Sequence, residues 1–316
     1  MSKSILSSQE MRNTVLFFGF IALLAGCSSK PTTESAELSR VGFPIASLEV
    51  APEVNIFEPG IINSTWPEFS ITFNATGDTL YFGRTIKDRT KASIMRSVRV
   101  DNIWQDPSVA SFSGPTFDVD PKIMADGSVF YGSLQFDVER DSLASFDIWV
   151  WGGSGDPIRL PRPLNSDANE SFMTGTLDGA LYFGSNRDGR ASIFKSEFTD
   201  GNRQAPIQVP ILGAVNPGNP LVSPDGSVLI FASEDENGWT DLSYMCNVLG
   251  TWSTPISFPD PINSEWMEYA PGIDNEGWMF FTSERPGMVV DIVPDERMPA
   301  DIYKSNVNIS QLCQEF

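Results

Sequence analysis

Five short turns recur along this 316-residue chain at a nearly fixed interval, and they restrict its fold more than anything else in the sequence. They read Ala75-Thr76-Gly77, Ala125-Asp126-Gly127, Leu177-Asp178-Gly179, Pro224-Asp225-Gly226 and Asn275-Glu276-Gly277, so the glycines lie 50, 52, 47 and 51 residues apart. An apolar, aromatic run follows each: LYFG, VFYG, LYFG, LIFA and MFFT. A glycine turn before such a run reads as a hairpin between two strands. After a polar loop comes a third strand, beginning SIMRS, DIWVW, SIFKS, DLSYM or DIYKS, and then a fourth segment with Trp and Pro, as in IWQDPSVASF. Four short strands at a period near 50 are the mark of a β-propeller blade. One four-stranded sheet cannot bury both faces, but blades packed radially can, with the second-strand aromatics between them. The expected fold is all-β: a five-bladed β-propeller of four-stranded antiparallel blades.

The chain also writes one phrase twice, INSTWPEFSI from Ile62 and INSEWMEYAP from Ile262. The second copy lies where one blade's outer strand passes into the next blade's inner strand. The fifth unit ends at its third strand, Asp301 to Ser305, without a clear fourth. Val54 to Phe69 reads as that missing outer strand followed by the first inner one, so the N-terminal strand is expected to close the last blade and remove the free sheet edge.

Pro224-Asp225-Gly226, LYFGSNRDG from Leu181 to Gly189, and DIYKS from Asp301 to Ser305 resemble the TolB-type repeats, also called WD-like propeller repeats. The resemblance covers about residues 54–308. It implies a propeller, and it spans transport, envelope and peptidase-associated proteins, so it implies no single function.

The N-terminus reads as an address. Arg12 precedes an uncharged apolar run from Val15 to Ala25, shorter than the ~20 residues of a membrane span. It ends Leu24-Ala25-Gly26-Cys27, which resembles the bacterial lipoprotein signal. The expected division is a signal peptide over 1–26, lipidated Cys27 with a flexible tether over 27–50, and the propeller over 51–316. Ser28 after the cysteine, by resemblance to Gram-negative lipoproteins, points to the periplasmic side of the outer membrane, with the lipid as the only membrane attachment.

Composition narrows the chemistry. The chain has no histidine, which excludes Ser-His-Asp and Cys-His catalysis, His-ligated zinc and an imidazole pH switch. A formal net charge of −20 argues against nucleic acid as a partner. No cofactor or metal site is legible. Asp235-Glu236-Asn237-Gly238 resembles a calcium loop only faintly, lacking the bidentate glutamate at position twelve, and loose calcium binding by loop carboxylates stays open. Cys246 and Cys313 remain after lipidation, and in an oxidising compartment they either pair or stay as two buried thiols.

Nine residues before each turn glycine stand Glu68, Asp118, Glu170, Pro217 and Glu268, so four blades start the channel-lining strand with a carboxylate. Asn63-Ser64, Asn165-Ser166 and Asn263-Ser264 precede three of them. These residues either bond nearby backbone in Asx- and Ser-type turns, or form a polar ring that attracts a cation or polar ligand at the channel mouth. Arg187 and Arg285 share one register and read as partners of these carboxylates or of local ones. Two long loops, Gly132 to Phe146 and Thr282 to Ala300, offer partner contacts, the second through Met288, Val289 and Val290.

Two functions fit. One is a tethered binding platform for an envelope protein, peptide or glycan, which needs only anchor, ring and loops. The other is a glycan-acting hydrolase using two channel carboxylates about 5–9.5 Å apart. The platform is the reading adopted from sequence, since the carboxylates sit at repeat-equivalent positions and no hydrolase motif matches.

Overall fold

A computed structural model describes residues 51–85, 91–115, 117–134, 145–236, 238–288 and 300–314. Cys27, the tether and the centres of both long loops, with Val289 and Val290, lie outside the described residues. The chain forms five antiparallel blades around a central channel. The inner strands are Glu68–Phe73, Asp118–Ile123, Glu170–Gly175, Val215–Val222 and Glu268–Ile273. Each turns through a glycine hairpin into its second strand, with Gly77, Gly127, Gly179, Gly226 and Gly277 all in the left-handed region that glycine adopts without penalty.

The fifth blade is completed from the other end of the chain. Val54–Ile56 pairs antiparallel with Asp301–Asn308, in the register Val54 to Ser305 and Ile56 to Tyr303. The ring therefore closes by strand exchange across nearly the whole chain. The outer strands are shorter than the sequence suggests. In blade 1 the segment after Ala92–Val100 pairs in two pieces, Ile103–Trp104 and Ser108–Val109. Pro107 stands between them and has no N–H to give a ladder.

Each blade junction has its own apolar cluster. Blades 4 and 5 meet through Ile230, Leu242 and Tyr244 against Met279, Phe281 and Tyr303. Blades 5 and 1 meet through Phe280 and Ile302 against Ile71, Leu80 and Phe82. Similar clusters join Phe231 to Tyr182, Tyr131 to Tyr81, and Phe183 to Ile148. Second-strand aromatics supply much of this core, because that strand is covered on both faces.

Every inner strand also carries a β-bulge at the same place. Between Phe69 and Thr72 the strand uses one residue more than its partner, and the slip recurs at Val119/Lys122, Ser171/Thr174, Gly218/Leu221 and Tyr269/Gly272. The residue after the first of each pair is left-handed: Ser70, Asp120, Phe172, Asn219 and Ala270, with φ from 49° to 56°. Five unlike non-glycine residues share this strained backbone, so the radial geometry imposes it.

Cys246, fully buried on blade 4's third strand, is bonded to Cys313 in the C-terminal tail, with Cα atoms 5.6 Å apart. The bridge spans 67 residues and fixes the tail over the junction of blades 4 and 5. Replacing both cysteines with alanine should lower stability by about 2–4 kcal/mol, chiefly by freeing the unfolded chain. Urea unfolding with and without reductant measures this; coincident midpoints would contradict it.

Candidate functional site at the channel mouth

The repeated phrase folds into a repeated hydrogen-bond unit. Asn263 acts as a strand edge: its Oδ1 accepts the Leu242 N–H at 2.8 Å, and its Nδ2 donates to the Leu242 and Phe258 carbonyls at 2.9 Å each. Asn165 does the same to Ile148, at 2.8 and 2.9 Å. Asn63 does it to Ile302, at 2.7 and 2.9 Å, and so fastens the first blade's entry to the last blade's third strand. In blade 2 Ser113 takes over part of this role, its Oγ accepting the Ile94 N–H at 3.0 Å.

The carboxylate one step further on is fully buried in all four blades. Glu268 accepts from the Ser264 N–H at 3.0 Å, the Ser264 hydroxyl at 2.7 Å and the Ser283 hydroxyl at 2.7 Å. Arg285 reaches it at 3.0 Å, donates to the Pro261 and Ile262 carbonyls, and lies over Phe281 and Tyr303. Glu170 repeats the arrangement with Ser166, Ser185 and Arg187. In blade 1 Arg84 replaces the second-strand serine and bonds Glu68 itself, at 2.7 Å. Asp118 meets no arginine among the described residues and accepts from Ser113, Gly114 and Ser133. Burial lifts Glu68 to about 7 against the pull of Ser64 and Arg84, and raises Glu170 and Asp118 as well.

These residues do not line the channel mouth, contrary to their expected place. Strand side chains alternate, and the neighbours of three carboxylates line the cavity instead, Pro67 and Phe69, Phe117 and Val119, Met267 and Tyr269, with Ser171 alone beside Glu170. Asn63, Asn165, Asn263, Arg187 and Arg285 are likewise absent from the lining. The structure gathers the candidates into four separate blade-entry units rather than one ring.

What does line the mouth is a cavity of about 140 Å³. Its wall is aromatic, from Phe69, Phe117, Phe146, Phe172 and Tyr269, with acidic groups from Asp120, Glu234 and Glu284. Three residues of the wall, Thr85, Ser171 and Thr240, are at least nine-tenths buried, and their hydroxyl oxygens, themselves shielded, have no hydrogen-bond partner among the described residues. Asp120 sits at the bulge of its strand, where Ser70 donates to it at 2.7 Å. Burial pushes its carboxyl up to about 7, with the Ser70 hydrogen bond pulling the other way. A smaller space of about 30 Å³ continues below, bounded by Asp120 and Lys122, whose ammonium burial pushes down to about 8. Three tryptophans neighbour lining residues: Trp66 and Trp239, exposed, and Trp266, half-buried.

The reading from sequence missed Asp120, Ser70 and the bulge. A usable signal was the proline three residues past the carboxylate position, at Pro121, Pro220 and Pro271, since proline inside a central strand marks a bulge. In the Asp235–Gly238 stretch the Gly238 N–H donates to the Asp235 carbonyl at 3.2 Å, and the Trp239 N–H donates to Asp235 Oδ1 at 2.8 Å. No group of three or more His, Cys, Asp or Glu side chains placed to hold a metal ion occurs among the described residues.

No family model matches the chain, and no curated protein does. Among solved structures it is similar to a putative TolB from Agrobacterium tumefaciens, at 16% identity over 73% of this chain and 74% of that one, TM-score 0.47. It is similar to TolB from Acinetobacter baumannii, at 12% identity over 77% and 55%, TM-score 0.45. A thermostable family-43 glycoside hydrolase gives 12% identity over 78% and 91%, TM-score 0.49. At such identities these likenesses carry no activity over to the chain.

Two outcomes separate the entry units from the cavity. Glu170→Ala strands Arg187 and two hydroxyls, so it should cost about 3 kcal/mol in chemical unfolding, and an unchanged midpoint would contradict the unit. Asp120 holds its proton more tightly folded than unfolded, since about 7 lies above its ordinary 3.8. Its contribution is therefore present below about pH 4 and lost as pH rises through 7. Glu68 titrates in the same direction, while the ionisable groups on the cavities that Asp120 borders are Lys122, Glu234 and Glu284. Asp120→Asn should flatten the decline between pH 5 and 8 by on the order of 1–3 kcal/mol; equal slopes would refute the assignment.

Proposed function

We propose that the chain is a binding module of the bacterial cell envelope: a rigid ring that holds a protein, peptide or glycan on its channel-mouth face. In this reading Cys27 carries the lipid, residues 27–50 are the tether, and the ring stands on the periplasmic side of the outer membrane. One observation carries the proposal. The mouth cavity is walled by Phe69, Phe117, Phe146, Phe172 and Tyr269 with Asp120, Glu234 and Glu284 on its border, whereas the repeat carboxylates are engaged in the blade entries. A concave, largely apolar pocket with a few polar groups on its border is the usual form of a ligand site. Trp66 and Trp239 expose flat apolar surface one residue from the lining positions Pro67 and Thr240, and half-buried Trp266 precedes Met267, surface suited to a sugar face or an apolar side chain.

A hydrolase on this scaffold would have to draw on Asp120, Glu234 and Glu284 rather than on the repeat carboxylates, because only the former border the cavity. The test uses the full chain, in detergent, to capture binders from a native envelope extract beside Trp66→Ala/Trp239→Ala and Glu234→Gln. Capture should fall at least tenfold in the tryptophan variant with the fold intact by circular dichroism. Unchanged capture would sink the platform reading, and extract glycans cut by the unmodified chain but not by Glu234→Gln would replace it with the hydrolase.

A further inference from the structure

We infer that the Cys246–Cys313 bond is a redox latch on the closure of the ring. Intact, it holds one end of the seam between the closing strand and blade 5. A dithiol reductant releases that end while the other stays shut. The inference goes beyond the platform reading and does not depend on it.

The two ends of the seam are fastened differently. At the mouth end Asn63 bridges to Ile302, the Phe57 N–H donates to the Ile302 carbonyl at 2.9 Å, and the Glu68 N–H donates to that of Ala300 at 2.8 Å. At the base end, beside the hairpin turn at Gly277, the Asn306 N–H donates to the Glu53 carbonyl at 3.1 Å. The Glu53 N–H returns a bond to Asn306 Oδ1 at 2.7 Å, but this pair is exposed to water, where such bonds add little. The closing strand between the two ends has only three residues, Val54–Ile56.

The C-terminal tail covers the weaker end. Val54 and Ile56 pack on the apolar cluster that takes in Ile309 and Leu312, with Cys313 beside them. The Ile309 N–H donates to the Gly277 carbonyl at 2.9 Å, and Ile309–Gln311 makes one 3-10 turn. A single such turn has no stability of its own. Burying two apolar side chains roughly offsets the conformational entropy lost in ordering residues 309–314. The covalent bond to blade 4 therefore decides whether the tail stays down.

The bond is approached from one side. Cys246 is fully buried, with the Leu312 carbonyl 3.9 Å from its sulfur, whereas Cys313 is half-buried in the tail. A thiolate of the dithiol attacks the Cys313 sulfur, the S–S bond breaks, and Cys246 leaves as a thiolate that takes a proton. The reductant's second thiol then displaces Cys313 from the mixed disulfide. Two electrons and two protons pass to the protein, and the dithiol becomes a cyclic disulfide.

Amide hydrogen exchange of the full chain, with and without dithiothreitol, tests this over the first minutes, before global unfolding contributes. Amides at Glu53, Asn306 and Ile309 should exchange at least tenfold faster in the reduced chain. Those at Phe57, Glu68 and Ile302 should change less than twofold. Cys313→Ser should show the reduced pattern from the start and ignore dithiothreitol; should that variant not fold, the unmodified chain carries the test alone. In the reduced chain iodoacetamide should modify Cys246 as readily as Cys313, since the tail no longer shields it. Unchanged exchange at the three base amides, equal acceleration around all five blades, or a Cys246 that stays protected while Cys313 reacts would each overturn the latch.

Discussion

The ring depends on one amide. Asn63 places its side chain against Ile302 as though it were another strand, accepting from the N–H and donating to the carbonyl across 239 residues of chain. Beside it, Val54–Ile56 adds the last strand of the last blade. Together they turn five stacked sheets into a closed circle with no edge between first and last blade. A buried amide so paired costs nothing in unsatisfied groups, and it fixes the register of everything that follows.

The same amide at Asn165 and Asn263 explains why the phrase recurs. Each copy pins a blade's entry loop to the third strand of the blade before it, and the serine and glutamate behind the asparagine set the start of the next inner strand. Rigid entries force the inner strands toward a narrow axis, and each absorbs the crowding as a bulge at one height. The bulges leave Ser70, Asp120, Phe172, Asn219 and Ala270 at the waist of the channel. Architecture at the blade entries thus leaves the waist and mouth open to vary, and there the aromatic and acidic residues collect.

Much of this was legible from residue order. The glycine turns gave the blade count, and the missing fourth strand after Ser305 gave the closure by Val54–Ile56. The Asn-Ser and carboxylate register marked real partners, since Ser264, Glu268 and Arg285 do meet. Which way the carboxylates face was not legible. Counting back from a turn fixes position along a strand but not its face, and the extra bulge residue reverses the alternation on the way. Nor does residue type betray the bulge, since serine, aspartate, phenylalanine, asparagine and alanine all occupy it. Arg84 escaped notice because it stands at the register of Ser185 and Ser283 and not at that of Arg187 and Arg285.

The most direct measurement is an amide hydrogen-exchange footprint of the full chain, free and with its captured envelope partner. Slowed exchange is expected in the bulged halves of the inner strands and beside them, around Phe69, Val119, Phe172, Asn219 and Tyr269, and in the turn before Thr240. Protection confined to the outer strands, such as Ser108–Val109 or Ile207–Gln208, or to the hairpin turns at Gly77 and Gly277, would contradict the channel mouth as the working surface.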